Sequence, residues 1–533
     1  MKKKAISFEK CFAVRSLICY FLIVSLLLFS LLRVAVINIG SGENLRSVIN
    51  GETIEIGSVR GSILDTNGIA MTNSRMQTVA AVMPTKEAIS AVKSNLSGKE
   101  RERVLSLLEN GKPAVCVFKE KTECEGISYI DIPVRLGENT VAHHVVGYLD
   151  GDGNGADGIE KAYNDFLSPS GKINAIFPTN GKGQPLSGVP VEFSSGIDTV
   201  NNTVTLTLDV DVQRVTEEAA EGLLSGAVVV SDCKTNKIRA MVSLPDFSPY
   251  DISESLKEEN SPLLNKCLMA YNVGSAFKPC IAAAAIMNRM DDAELECTGS
   301  TVIEKRVFNC HKTSGHGKMT LKSALADSCN CYFYYLACSL GAQKVFKAAE
   351  YMNFGSRIKL AENIYTSAGN IPSVKALDSK SDIANFGIGQ GEILLSPVSM
   401  LCLYSAVANK GEYYLPSLVE KTSKGGKDDY YDIGLPTRAM TKEAAEEICD
   451  ALVSVVKAGT GTAAYSDKVT SAGKTATAQT GRTDENGNEI TNSWFCGFFP
   501  AENPVYSVVV MSDGKYEKSP AEVFKDISEA LSK

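Results

Sequence analysis

The chain opens with one apolar run that is long enough to cross a membrane. Residues 16–32 carry no charged side chain, Arg33 follows them, and 34–37 are again apolar. A transmembrane helix needs about 17 to 25 mainly apolar residues, and basic flanks stay in the cytoplasm. The flank before the run is basic, with Lys2, Lys3, Lys4, Lys10 and Arg15. We therefore predict a cytoplasmic tail at 1–15, an uncleaved transmembrane anchor at 16–39 and an exported remainder.

Beyond the anchor, the hydrophobic pattern divides into two parts. Residues 40–195 mix short strand-like runs with glycines and polar turns, which is typical of an α+β module. Further on, the paired apolar runs 227–231 with 238–243, and 494–499 with 505–511, predict two hairpins. The segment between them is dominated by helical spacing, and a capped helix follows Ser519. We therefore expect a C-terminal antiparallel sheet, built from both ends of the domain, with a helical subdomain inserted.

Composition and charge narrow the class of protein. The 533 residues exceed the usual size of a single domain, and a hydrophobic content of 44% is ordinary for a globular protein. The net charge is -8, whereas a protein that binds nucleic acid requires a clustered basic surface. We therefore expect two or three domains and no nucleic-acid partner.

Fifteen cysteines stand in this chain, and Cys11 and Cys19 lie before or within the anchor. The spacings contain no CxxC pair, so they indicate neither a disulfide scaffold nor a zinc site. Cys297 and Cys310 flank a short segment and are the best candidates for a bridge. Buried free thiols are the alternative interpretation.

The first candidate for chemistry is Ser275, followed by Lys278 and then Pro279. A spacing of three places the serine and the lysine on one face of a helix, and the proline requires that helix to begin close to Ser275. A neutral lysine beside a serine hydroxyl can act as its base. By itself the pair is weak evidence, because a capping serine followed by a surface lysine gives the same pattern.

Two later segments carry compatible chemistry. Ser328-Cys329-Asn330 falls between two helical patterns and offers a hydroxyl and an amide. The segment 473–478 is compatible with a strand, and its Lys474, Thr475 and Thr477 suit a substrate carboxylate. The alternative interpretation of Ser328-Cys329-Asn330 is a helix cap without a catalytic role.

The order S-x-x-K, S-x-N, K-T-x resembles the penicillin-binding proteins and related active-site serine enzymes. The resemblance implies that Ser275 is acylated with Lys278 as its general base, and that Ser328 and Asn330 form the second motif. It also implies that Lys474, Thr475, Ala476 and Thr477 bind substrate, and that backbone N–H groups of Ser275 and Thr477 form the oxyanion hole.

Three further segments resemble the class B, transpeptidase-only members of that family: 60–68, 158–160 and 387–392. The resemblance implies an α+β fold, with a dimerisation or pedestal-like module at 40–195 and a penicillin-binding transpeptidase domain at 200–533. It further implies a peptidoglycan D,D-transpeptidase that needs neither cofactor nor metal and is inhibited by β-lactams. Its partners would be stem peptides, lipid-linked precursor strands and a membrane glycosyltransferase.

One residue departs from the family pattern. Ala476 stands where the family usually has glycine, and its methyl group lies where a substrate backbone would pass. We expect altered affinity for substrate or β-lactams more than loss of activity. Two alternatives stay open: a membrane-anchored β-lactamase or D,D-carboxypeptidase, and a wall-synthesis scaffold whose catalytic site has weakened.

Overall fold

The computed structural model describes residues 2–44, 51–137, 140–168, 171–180, 186, 189–194, 202–250, 252–258 and 260–532. Of residues 2–12, 36–44, 58 and 171, it describes the backbone alone.

The strands follow one another along the chain as β1 Gly51–Val59, β2 Ser62–Leu64, β3 Arg75–Val82, β4 Ala114–Cys116, β5 Ile127–Val134, β6 Gly171–Pro178, β7 Glu192–Ser194, β8 Thr203–Leu206, β9 Gly226–Asp232, β10 Ile238–Leu244, β11 Tyr271–Asn272, β12 Leu295–Cys297, β13 Ser300–Ile303, β14 Arg306–Asn309, β15 Gly317–Met319, β16 Lys359–Ala361, β17 Ile364–Tyr365, β18 Leu394–Leu395, β19 Glu412–Tyr413, β20 Val419–Lys424, β21 Lys427–Tyr430, β22 Thr437–Arg438, β23 Ala472–Thr483, β24 Glu489–Phe499 and β25 Tyr506–Asp513.

The helices are α1 Lys2–Asn44, α2 Lys86–Asn95, α3 Gly98–Glu109, α4 His143–Val146, α5 Gly158–Ala162, α6 Asn164–Leu167, α7 Val210–Ala220, α8 Ile252–Ser255, α9 Lys278–Met287, α10 Leu321–Ala326, α11 Asn330–Leu340, α12 Ala342–Tyr351, α13 Lys380–Gly387, α14 Pro397–Ala408, α15 Lys442–Ala458 and α16 Pro520–Leu531. Short 3-10 helices span Lys266–Leu268, Gly274–Phe277 and Thr462–Ala464.

The chain forms two compact units whose segments alternate along the sequence. One unit comprises Met1–Val59, Met76–Ile132 and Gly171–Ile197, and the other comprises Arg60–Arg75, Pro133–Ser170 and Asp198–Lys533. The prediction had placed all of 40–195 in one module. Instead, β2 pairs in parallel with β8, which holds the segment around 60–75 in the larger unit. The dimerisation or pedestal-like role of the smaller unit stays a prediction.

Helix α1 contains the apolar segment that the sequence predicted. Within the described residues, Ala13–Ala35 is 23 residues long, has a mean hydropathy of 2.5 and is the one helix long and apolar enough to span a membrane. At about 1.5 Å per residue, that length matches a hydrocarbon core of about 30 Å. The observed segment begins three residues before the predicted anchor at 16–39.

The smaller unit is an α+β assembly with two sheets. One sheet has the order β1-β6-β7 and the other the order β4-β3-β5. Helices α2 and α3 bury Val92 and Val104 against the second sheet. Helix α2 begins at Thr85, whose side chain accepts a hydrogen bond from the backbone N–H of Ala88.

The larger unit is built on a five-stranded antiparallel sheet with the order β10-β9-β25-β24-β23. Both predicted hairpins are confirmed, and the helical segment between them covers one face. Alternating residues divide the sheet between two cores, with Val228 and Val510 facing α7 and α16. Val229 and Val509 face the larger core, to which α9 through α15 contribute. The structure therefore confirms the predicted α+β class with a helical insertion.

A buried charge cluster joins two of the segments that resemble class B proteins. Glu160 is 1% exposed and receives hydrogen bonds from Arg60 and Arg135 through its two carboxylate oxygens. Arg60 also donates to the backbone oxygen of Glu160 and to Asn164 Oδ1, both at 3.0 Å. Arg135 donates to the carbonyl of Gly61 at 2.6 Å. The cluster therefore ties the segment after β1 to α5 within the larger unit.

Candidate active site

Ser275 lies at the start of a helix, as its spacing from Lys278 predicted. It is half-buried in the 3-10 helix Gly274–Phe277, which continues directly into α9 with Lys278 as its first residue. Pro279 occupies the first turn, where its missing N–H breaks no helical hydrogen bond. The hydroxyl of Ser275 and the side chain of Lys278 therefore belong to one continuous helical segment.

Two distant side chains hold the backbone on either side of Ser275. Trp494 on β24 donates from Nε1 to the carbonyl oxygen of Asn272 at 2.8 Å. Tyr404 on α14 donates from its hydroxyl to the carbonyl oxygen of Ala276 at 2.9 Å. Sequence reasoning missed both residues. Trp494 is the single tryptophan of the chain, which is the one signal that could have drawn attention to it.

The glycine-rich segment 387–392 lies directly against Gly274, the residue before the serine. The N–H of Gly274 donates to the carbonyl oxygen of Gly389 at 3.0 Å. Gly389 has a φ of +70°, and a Cβ there would lie 2.1 Å from the carbonyl oxygen of Gly274. Any larger residue would push the segment away from the serine. Gly389 therefore permits a backbone contact that holds Gly274 in place at the start of the helical segment.

Gly274 also brings the serine segment next to the third motif. A Cβ on Gly274, whose φ is +54°, would lie 3.2 Å from the carbonyl oxygen of Thr477 and 3.1 Å from the Cβ of Ala478. Strand β23 is at the edge of the five-stranded sheet. The residue before Ser275 is thus in close contact with the strand that carries Lys474–Thr477.

Lys278 connects the first motif to the second. Its Nζ donates to the carbonyl oxygen of Ser328 at 2.7 Å, to Ser328 Oγ at 3.2 Å and to Asn330 Oδ1 at 2.8 Å. The side chain is completely buried, and Nζ lies 5.3 Å from the ring centre of Phe333. Burial lowers the pKa of Lys278 to about 7, because the charged form loses its hydration.

Ser328 is in the turn between α10 and α11 and has a φ of +55°. This left-handed conformation costs about 1 kcal/mol or more for a residue with a Cβ. Cys329 then caps α11 and Asn330 is its first residue. The strained turn points the carbonyl and hydroxyl of Ser328 at Lys278 while Asn330 approaches from the helix.

Lys474 is the second buried lysine of the site. It is completely buried on β23, and its Nζ donates to the carbonyl oxygen of Thr475 at 3.0 Å. Burial and the charge of Lys278 hold the pKa of Lys474 well below its usual range. In the structure, burial is the cause that lowers the pKa of Lys278.

The remaining residues of the third motif alternate along β23. Thr475 is half-buried and its hydroxyl lies 2.8 Å from that of Thr460, whereas Thr477 is exposed. Ala476 is 6% exposed, pairs with Trp494 on β24 and shares a face of the strand with Lys474. The methyl group that departs from the family pattern therefore lies on the same side as the buried lysine.

The structure thus brings together residues of all three motifs. Ser275 and Lys278 share one helical segment, Ser328 and Asn330 bind Lys278, and β23 contacts Gly274. Within the described part of the chain, Ser275 Oγ makes no hydrogen bond to Lys278 Nζ, whose bonds go to the second motif.

The predicted disulfide between Cys297 and Cys310 is wrong for this structure. Both thiols are free and buried. Each sulfur lies 3.5 Å from Nδ1 of His316. Together with Cys329 they form a group of donor atoms, all within 4.8 Å of one another, which could hold a metal ion. The thiols therefore converge on an imidazole and on the second motif.

Comparisons with known proteins agree with this geometry. The family model of the penicillin-binding protein transpeptidase domain matches residues 226–529. Stage V sporulation protein D of Bacillus subtilis is 26% identical over 542 residues, which cover 94% of this chain and 82% of that protein. The peptidoglycan D,D-transpeptidase MrdA of Acinetobacter baumannii is 24% identical over 407 residues, which cover 70% of this chain and 59% of MrdA.

Among solved structures, a chain from a peptidoglycan synthase complex that coordinates polymerization and crosslinking has a similar fold. The TM-score is 0.68 at 22% identity, and the match covers 97% of this chain and 98% of that chain. The matched family domain begins at β9 and ends in α16, so it contains all three motifs. The chain belongs to the penicillin-binding protein transpeptidase family and is a class B penicillin-binding protein.

Proposed function

We propose that the chain is a peptidoglycan D,D-transpeptidase that cross-links stem peptides through an acyl-enzyme on Ser275. The observation that carries the proposal is the buried Lys278, bound to both Ser328 and Asn330 on a helix that presents Ser275. A lysine with a pKa of about 7 is neutral often enough near neutral pH to accept a proton. The family membership and the name of the related MrdA support the substrate class.

The acylation step follows from these positions. Ser275 Oγ attacks the carbonyl carbon of the D-Ala-D-Ala bond, and its proton passes to neutral Lys278. N–H groups of Ser275 and Thr477 stabilise the oxyanion. The proton then reaches the amine of the departing D-Ala through Ser328, which lies 3.2 Å from Lys278 Nζ. An acceptor amine from a neighbouring stem resolves the ester, returns the serine hydroxyl and forms the cross-link.

The third motif binds the substrate in this proposal. Thr475 and Thr477 offer hydroxyls to the terminal carboxylate. Lys474 lies buried close behind them, where the arriving carboxylate would favour its protonated form. Ala476 places a buried methyl group, instead of the hydrogen of a glycine, on the face of β23 that carries Lys474, opposite the two threonine hydroxyls.

The basic flank of the membrane helix supports a catalytic domain on the outer side of the membrane. Basic residues precede the apolar segment, so the N-terminus stays in the cytoplasm and the catalytic domain is exported. There it meets stem peptides and lipid-linked precursor strands. The similar chain in a peptidoglycan synthase complex supports a membrane glycosyltransferase as partner.

The decisive experiment is covalent labelling of the full chain with a fluorescent penicillin. Wild type is expected to form a stable adduct, and Ser275→Ala is expected to form none. Ser339→Ala, which changes an exposed serine on α11, is the matched control and should label like wild type. An unlabelled wild type, or equal labelling of Ser275→Ala, contradicts the proposal.

The lifetime of the adduct separates the competing functions. A transpeptidase keeps the penicilloyl group for minutes or longer, whereas a β-lactamase releases it to water within seconds. A D,D-carboxypeptidase would release D-Ala from a pentapeptide without an acceptor. A weakened scaffold would fail to label at any penicillin concentration while remaining folded.

A further inference from the structure

A second cluster of reactive side chains lies behind the second motif. The sulfurs of Cys297, Cys310 and Cys329 and a ring nitrogen of His316 are all within 4.8 Å of one another. The three thiols are at most 3% exposed. Cys329 is the middle residue of the Ser328-Cys329-Asn330 motif. The cluster therefore touches the site without containing any of the proposed catalytic side chains.

The distances within the cluster match a tetrahedral metal site. Cys310 Sγ lies 4.0 Å from Cys329 Sγ, and His316 Nδ1 lies 3.5 Å from the sulfurs of Cys297 and Cys310. A tetrahedral zinc ion with bonds of about 2.3 Å to sulfur and about 2.0 Å to nitrogen separates its ligands by about 3.5 to 3.8 Å. A disulfide would require about 2.05 Å between sulfurs. These atoms are therefore spaced as ligands around an ion.

The backbone brings these ligands together before any ion is bound. Cys297 ends β12, and β12 pairs with β15, whose Gly317 is opposite Cys297. A Cβ on Gly315 would lie 2.3 Å from the carbonyl oxygen of Cys297, and a Cβ on Gly299 would lie 1.9 Å from that of Thr313. Both positions have a positive φ that favours glycine. The two loops therefore approach each other closely enough to place Cys297 beside His316.

The surroundings favour thiolates as ligands. The backbone N–H of Asn330 donates to Cys310 Sγ at 3.4 Å. Hydrogen bonds of this kind orient metal ligands and moderate their charge. Cys329 caps the N-terminus of α11, where the aligned peptide dipoles stabilise negative charge. The cluster thus has both ligands and outer contacts suited to a cation.

Three other buried cysteines do not show this arrangement, whereas Cys331 also lies next to Cys310. Cys280 on α9, Cys402 on α14 and Cys496 on β24 are buried as single thiols in the core. Among the residues whose side chains are described, the four above are the one group of three or more possible ligands that converge. Burial of cysteine alone therefore does not account for the cluster.

We propose that Cys297, Cys310, His316 and Cys329 bind one structural zinc ion that holds the Ser328–Asn330 turn in place. Three thiolates and one imidazole form a closed coordination shell, which is typical of structural zinc. Binding displaces the three thiol protons to solvent. The sequence pattern predicts no metal site, because the ligands are spread over 33 positions of a segment without a CxxC pair.

The ion would act on the active site through the position of Cys329. A ligand between Ser328 and Asn330 fixes the turn that binds Lys278, including the left-handed Ser328. Cys329 is thus a positioning residue. This part of the inference rests on the proposed function, whereas metal binding does not.

The first experiment measures metal in the full chain, purified in detergent under reducing conditions. After equilibration with Zn²⁺ and desalting, wild type should retain one zinc ion per chain. Cys297→Ser and His316→Gln should lose most of it, and Cys402→Ser is the matched control that should keep it. A wild type without stoichiometric zinc, or full retention by both ligand variants, overturns the proposal.

Because ligand variants can fail to fold, wild type is also loaded with Co²⁺. Tetrahedral thiolate coordination should give strong visible d–d bands and a near-ultraviolet charge-transfer band. Absence of both bands overturns the site. So does a disulfide among Cys297, Cys310 and Cys329 in zinc-equilibrated protein, detected by mass spectrometry. Cys331→Ser should keep the bands. If Cys331→Ser loses the bands while Cys329→Ser keeps them, the assignment of Cys329 as the fourth ligand is overturned.

The second experiment tests the coupling to the active site. Chelation should slow acylation by fluorescent penicillin at least tenfold in a chain that keeps its tryptophan fluorescence, and added Zn²⁺ should restore the rate. Unchanged acylation in metal-free protein overturns the positioning role. A chain that binds zinc but never labels with penicillin disproves the proposed function while leaving the metal site intact.

Discussion

Lys278 Nζ donates a hydrogen bond of 2.7 Å to the backbone carbonyl oxygen of Ser328, a residue 50 positions further along the chain. A backbone acceptor remains in place when the serine side chain is changed. The lysine is therefore held in position independently of the hydroxyl that we propose for proton relay. This arrangement separates the roles of base and relay, so that each can be tested by itself.

The first prediction concerns the pH dependence of acylation. Burial lowers the pKa of Lys278 to about 7, so below that pH the side chain is protonated and cannot accept the proton of Ser275. The rate of penicillin acylation should fall about tenfold per pH unit below 7 and level off above it. A stopped-flow series from pH 5.5 to 8.5 measures this. A rate that is flat over the whole range would contradict the role of Lys278.

A second prediction concerns the identity of the base. Lys278→Arg should reduce acylation by at least about a thousandfold, because a guanidinium stays charged at neutral pH. Lys266→Arg is the matched control. Lys266 is also buried, and its Nζ donates to the backbone oxygens of Leu244 and Asn260 at 2.7 Å. Substantial acylation by Lys278→Arg would assign the base to another group.

A third prediction uses Asn330 to move the pH profile. Asn330→Asp places a carboxylate at the position that now accepts a hydrogen bond from Lys278 at 2.8 Å. A nearby negative charge favours the protonated lysine and raises its pKa. The midpoint of the acylation profile should therefore shift upward by about one pH unit or more. Asn486→Asp, in an exposed turn, should leave the midpoint unchanged.

The fourth prediction concerns the residue that departs from the family pattern. Ala476→Gly removes a buried methyl group from the face of β23 that also carries Lys474. Acylation should become several-fold faster because the methyl group no longer constrains the strand that binds the substrate. The free energy of unfolding should fall by about 0.5 to 1 kcal/mol, since glycine is more flexible in the unfolded chain. Equal or slower acylation would show that the methyl group does not limit binding.

A fifth prediction concerns stability of the larger unit. Glu160→Gln removes the charge that compensates Arg60 and Arg135, and breaking such a buried pair costs about 3 to 5 kcal/mol. Urea unfolding followed by the fluorescence of Trp494 measures the loss. The control is Glu100→Gln, whose partner Arg103 is half exposed and whose pair should contribute less than about 1 kcal/mol. Equal effects would show that burial does not strengthen the cluster.

The sequence alone was sufficient for features that depend on local pattern. The apolar run within α1, the two hairpins and the capped helix after Ser519 each follow from the spacing of apolar residues and from capping chemistry. The order of the three motifs was sufficient to place the chain in its family. Such features are encoded within short stretches, so no knowledge of distant contacts is needed.

Only the tertiary structure decided how distant stretches meet. Gly389 accepts a hydrogen bond from Gly274, and Arg60 binds Glu160. The residues of each pair lie far apart in the sequence, and the spacing of apolar residues does not indicate that they meet. The cysteines show the limit most clearly, because the sequence suggested a bridge where the fold gathers three thiols around His316. Convergence of ligands depends on the pairing of β12 with β15 and on the cap of α11. Those contacts form only when the chain folds, and spacing along the sequence does not reveal them.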